Sequence, residues 1–104
     1  MLKKAMIAHQ LKRWEKEFNR HEVYVKHFIP GRIRLFSPLW KDNESLIKEV
    51  RQLIEREHTV MAVKETIETG TILIEFNSQR EVQRDELVRW MSILAQKHAP
   101  FITP

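Results

Sequence analysis

The chain has 104 residues, of which 42% are hydrophobic and 31% charged, with a formal net charge of +4 and no cysteine. That length suits one domain with a modest core, and two glycines and four prolines argue against long disordered linkers. Without cysteine, disulfides, thiolate metal sites, cysteine nucleophiles and iron–sulfur ligation are all excluded.

The charge sits at the start of the chain. Residues 1–21 carry Lys3, Lys4, Lys12, Arg13, Lys16 and Arg20 against Glu15 and Glu17, while the remainder is balanced, so a pI of 9.6 does not describe a basic body. In the same segment Ile7, Leu11, Trp14 and Phe18 recur four, three and four residues apart, the apolar stripe of an amphipathic helix. The first apolar run is too short for a signal peptide, and none reaches the roughly 18 residues of a membrane span. A cytoplasmic protein is expected.

The stretch VKHFIPGRIRLFSP, Val25 to Pro38, reads as one long strand in which Pro30-Gly31 marks a bulge or bend. Val23, Val25, His27, Ile29, Ile33 and Leu35 share one parity, and Tyr24, Lys26, Phe28, Arg32, Arg34 and Phe36 the other. One extra residue in the strand would flip that parity and move His27 to the other face from Ile33. Ser37 to Asn43 is a loop that ends on Asp42 or Asn43 as a helix cap. Leu46, Ile47, Val50, Leu53 and Ile54 define a second helix to about His58, with Glu44 and Lys48 one turn apart. Thr59–Thr69 and Thr71–Asn77 form a hairpin around Gly70. Ser78-Gln-Arg-Glu81 has the form of a capping box, and Leu87, Met91, Leu94 and His98 continue a third helix. The tail from Ala99 leaves at most a stub of strand.

Strand, helix, strand, strand, helix is the order of a ferredoxin-like, split βαβ sheet with its helices on one face. The expected architecture is therefore α+β, with an extra N-terminal helix over 1–21, a ferredoxin-like domain over 22–104, and a short or missing last strand. The other sheet face would need a cover, which the first helix could supply.

HFIPGRIRLFSP, then LIKEVRQLIERE, then VMAVKETIETGTILIEFN resembles the heavy-metal-associated domain, in its cysteine-free branch, over about residues 23–97. The resemblance implies metal trafficking, often beside metal-transporting P-type ATPases, with metal held by two cysteines in the loop after the first strand. Here that loop reads Ser37-Pro38-Leu39-Trp40-Lys41, so soft copper ligation does not transfer.

His27 is the most distinctive polar residue of its strand. It suits either a hydrogen-bonded core or interface histidine, or an axial haem or metal ligand. Arg32 and Arg34, two apart, could pair with haem propionates or with Glu75 and solvent. The other histidines show no metal-ligand spacing. Tyr24, Phe28 and Phe36 with Lys26, Arg32 and Arg34 would suit one strand of an RNA-binding sheet. The strand from Thr71 offers Leu73 and Glu75 instead of aromatics, so no nucleic-acid partner is expected. No nucleophile motif or phosphate loop supports catalysis.

Two functions follow. One is a non-catalytic binding module in metal or haem homeostasis, with haem or a metal taken through His27 beside Arg32 and Arg34. The other is a cofactor-free interaction module that self-associates as a homodimer, using Ile7, Leu11, Trp14, Phe18, Tyr24, Phe28 and Phe36. With no last strand, Val23–Ile29 would also be an exposed edge for a second chain. Residues 1–21 could touch an anionic membrane weakly.

Overall fold

Pro30 and Gly31 decide the architecture. Proline fixes its own φ near the value that the first central position of a turn needs, and Gly31 has φ 86°, the left-handed conformation required at the next. Ile29 then pairs with Arg32, so the stretch folds back on itself. Pro30-Gly31 is therefore a hairpin turn between two strands, not the bulge or bend expected within one. The Pro-Gly pair is the sequence signal for this turn, with Ile29 and Arg32 paired at its base.

The computed structural model describes residues 12–77 and 84–102. Helix α1 covers residues 12–20. It is followed by β1 (Tyr24–Ile29), β2 (Arg32–Phe36), α2 (Glu44–Glu55), β3 (Val60–Thr66), β4 (Thr71–Phe76) and α3 (Arg84–His98). The four strands form one antiparallel sheet in the order β1-β2-β4-β3. The unit β2-α2-β3-β4-α3 is the split βαβ plan. The chain after α3 makes a 3-10 turn over Ala99–Phe101 instead of a strand, and β1 takes the edge place beside β2 that a last strand would fill.

Real bulges lie elsewhere. Each edge strand has one, at Lys26 between Val25 and His27 in β1 and at Met61 between Val60 and Ala62 in β3. The first of these flips the parity of the strand. Val25 stands opposite Leu35 and Phe28 opposite Ile33, on the face that bears buried Ile72, Ile74 and Phe76. His27 stands opposite Arg34 and Tyr24 opposite Phe36, on the other face.

Helices α2 and α3 cover the inner face. Ile47, Val50 and Ile54 of α2, with Trp90 and Leu94 of α3, close over Ile33, Leu35, Ile72 and Ile74. Helix α2 starts on Asn43, whose side chain accepts the Leu46 N–H at 3.3 Å, and a Lys48–Glu44 ion pair of 2.6 Å braces its first turn. Helix α1 joins the same layer. It ends in a Schellman motif: Val23 N–H donates to Phe18 O at 3.0 Å, Glu22 N–H donates to Asn19 O at 3.1 Å, and Glu22 takes the left-handed position with φ 61°. The motif brings Phe18 and Val23 together, and both are fully buried in the core. The described part of α1 thus packs among the helices, and among the described residues the outer face of the sheet has no cover.

Candidate functional site

The outer face is set by strand alternation. Three rows cross it: Tyr24–Phe36–Thr71–Thr66, His27–Arg34–Leu73–Lys64 and Ile29–Arg32–Glu75–Ala62. Tyr24 and Phe36 are half-buried, with ring centroids 6.3 Å apart and planes tilted by 34°. The Lys26 ammonium stands 5.2 Å from the Phe36 centroid, within cation–π range. Tyr24 Oη donates to Glu22 Oε2 at 3.2 Å, and that carboxylate holds the phenol pKa above its ordinary value. Arg32 pairs with Glu75 at 3.6 Å. Among the described residues Lys26, Arg34 and Lys64 pair with no carboxylate.

The structure separates the other residues singled out from the sequence. His27, Arg32 and Arg34 are brought together on the exposed outer face. Phe28 is on the inner one, stacked on Phe76 with centroids 6.4 Å apart. Phe18 is in the core and Trp14 packs against it, so these two members of the α1 stripe are used within the chain. Ile7 and Leu11 lie outside the described residues, as does the capping box from Ser78 to Glu81.

A second constellation was not foreseen. Trp40, in the loop between β2 and α2, is fully buried, and its Nε1–H donates to His98 Nε2 at 2.8 Å. The other imidazole nitrogen, Nδ1, lies 2.6 Å from the carbonyl oxygen of His21. Carbonyls only accept and the indole N–H only donates. The ring is therefore neutral with its proton on Nδ1, and both nitrogens are satisfied. Burial pushes the His98 pKa down, against the opposing pull of the His21 carbonyl. One imidazole so ties the β2–α2 loop, the end of α3 and the end of α1. The loop is held on its other side by Gly70 in the β3–β4 turn: Ser37 N–H donates to Gly70 O at 3.0 Å, and Asp42 N–H donates to Ile67 O at 3.2 Å. A large apolar residue in a polar loop was the available signal for Trp40. Its partner lies 58 positions away, where no spacing rule reaches.

The Heavy metal associated domain 2 family matches residues 7–96. The chain belongs to that family. The family is one of metal-associated binding modules. No curated protein and no solved structure matches the chain significantly.

The residues present do not fit a metal at the loop after β2. Ser37 and Trp40 are buried there, Ser37 Oγ accepts the Leu39 N–H at 3.1 Å, and the indole is engaged by His98. Among the described residues no three histidine, aspartate or glutamate side chains gather where a metal ion could be held. No helix among them is long and apolar enough to cross a membrane.

Proposed function

We propose that this member of the heavy-metal-associated family is a non-catalytic docking module that works through the outer face of its sheet. The loop where the wider family carries its thiolates has become a structural fastening. One observation carries this reading: Trp40 is fully buried in that loop and hydrogen-bonded to His98. An indole drawn into the core and locked to a satisfied imidazole commits the loop's buried side chains to holding the fold. The outer face supplies the working surface, since it carries rings, an imidazole and unpaired cations on rigid strands. Bulges at Lys26 and Met61 interrupt both edges of the sheet, so an added strand has no regular ladder to extend and docking falls to the face.

A haem module is the second reading, favoured by the exposed imidazole of His27 beside Arg34. One set of titrations separates the two. Zinc(II), copper(I) and haemin are added separately to the full chain while tryptophan fluorescence and the visible spectrum are followed. The docking module gives no saturable change at one equivalent. A saturable one-equivalent response to zinc(II) or copper(I) overturns it. A one-equivalent Soret shift lost in His27→Ala transfers the function to haem.

A further inference from the structure

We infer that the ligand of the outer face is single-stranded nucleic acid, lying across β1 and β2 with its phosphates on Lys26, Arg34 and Lys64. This rests on the outer face being the working surface. The hairpin at Pro30-Gly31 changes the ground on which such a partner looked unsuitable. A single long strand would string its aromatics along one line beside a strand with none. The observed turn sets Tyr24 against Phe36, and His27 against Arg34, on neighbouring strands. Four flat groups then share one patch, each of a kind on which bases stack.

Charge points the same way. Over α2 and α3 most cations meet carboxylates, Lys48 with Glu44, Arg51 with Glu55 and Glu65, Arg89 with Glu57, Lys97 with Glu49, whereas Arg56, Lys41 and the α1 cations Lys12, Arg13 and Lys16 pair with none among the described residues. On the outer face Arg32 neutralises Glu75, the acid in its three rows. Lys26, Arg34 and Lys64 remain without carboxylates among the described residues, although the chain beyond residue 21 is balanced overall. Three unpaired cations on one flat face that also carries rings suit a polyanion that lies flat. An acidic protein segment could use the cations but has no need of the rings. A duplex needs an element that enters a groove, and this face is a sheet surface. No set of base-edge donors is arrayed there, so binding is expected to tolerate sequence.

The test uses fluorescein-labelled 12-nucleotide oligo(dT) and oligo(U), read by anisotropy with the full chain. Saturable binding is expected, with a log–log salt slope of about −2 from three phosphate contacts, or roughly 20-fold weakening between 50 and 200 mM salt. Arg34→Ala and Lys64→Glu should each flatten the slope by about 0.7. Tyr24→Leu and Phe36→Leu should weaken binding about fivefold or more. Lys64 is exposed, so its variant keeps the test independent of folding. No binding by the wild type overturns the inference. So does binding that ignores these variants but is lost in Lys12→Ala/Arg13→Ala/Lys16→Ala, which would place it on α1. Equal displacement by polyglutamate, with no effect of Tyr24→Leu, also overturns it in favour of an acidic protein partner. A silent oligonucleotide beside silent metal and haemin titrations removes this inference alone. A saturable one-equivalent response to zinc(II) or copper(I) removes the parent reading.

Discussion

The two faces of the sheet are made by the same four strands, yet they use their residues in opposite ways. On the inner face Ile33, Leu35, Ile72 and Ile74 are all but inaccessible, and each is held from several sides. On the outer face His27, Arg34 and Lys64 are exposed and touch little, and Arg32 makes an exposed ion pair with Glu75. Strand alternation thus sorts adjacent residues into those that keep the chain folded and those free to meet a partner. The fastening around Trp40 belongs with the first group, although it occupies the loop at which the wider family places its chemistry.

The sharpest break in that comparison comes at Trp40. Trp40→Ala should cost about 3–5 kcal/mol in urea or guanidinium unfolding, because it leaves a cavity and strips the donor from a buried nitrogen. Trp40→Phe keeps most of the ring and loses the donor, so about 1–3 kcal/mol is expected. Were the alanine variant to cost under 1 kcal/mol, the loop would not be part of the core at all. Gly70→Ala comes next. Its φ of 67° is costly for any side chain, and a Cβ there would meet Ser37 O at 2.8 Å and Lys41 N at 3.0 Å. Both neighbours are backbone, so the loop itself must move, and a loss of about 2 kcal/mol or more is expected.

A smaller effect is set by pH. The His98 pKa is lowered in the folded chain, first by burial, with the His21 carbonyl and Glu22 pulling it up and the His21 imidazole adding to the fall. His21 is lowered too, by burial first, with Glu17 opposing and Arg20 assisting. Below the ordinary histidine value of 6.5 the unfolded chain takes up a proton that the folded chain refuses. Stability is therefore full above that value and falls as the pH drops through and below it. The slope reaches at most about 1.4 kcal/mol per pH unit for one buried histidine, and less for His21, which is more accessible. Urea midpoints between pH 7.5 and pH 5 measure the slope. His98→Gln, whose amide can still accept from Trp40 and donate to His21 O, should remove the steeper part. An unchanged slope would mean that other groups carry it.

Local chemistry made much of this fold legible. Alternation and helical spacing place α2, β3 and β4 within a few residues, because each has one buried face and ordinary ends: Asn43 as cap and Gly70 as turn. The hairpin was missed because two apolar strands joined by a two-residue turn carry the same alternation as one strand with a bend. The position of His27 follows from a bulge at Lys26, and no residue type announces a bulge in a charged edge strand. The stripe of α1 was legible, but its destination was not: a helix's apolar face says that it will be covered and not by what. The Trp40–His98 bond joins residues far apart in sequence, and only the assembled fold brings them within reach.

The smallest expected effects lie on the outer face, and they test the bulge itself. His27 and Phe28 are neighbours in β1, one exposed beside Arg34 and the other half-buried against Phe76. His27→Ala removes a side chain that touches little, so unfolding free energy should change by no more than about 0.5 kcal/mol. Arg34→Ala should do the same, while Arg32→Ala also gives up an exposed ion pair worth no more than about 1 kcal/mol. Phe28→Ala, one residue away from the first of these, should cost about 2 kcal/mol, less than a fully buried phenylalanine because its ring is only partly covered. The pair is informative because register sets it. Without the extra residue at Lys26 the strand would keep simple alternation, with His27 turned inward and Phe28 to solvent. Equilibrium unfolding of the two variants would then show the reverse order, with His27→Ala the costly change and Phe28→Ala nearly silent.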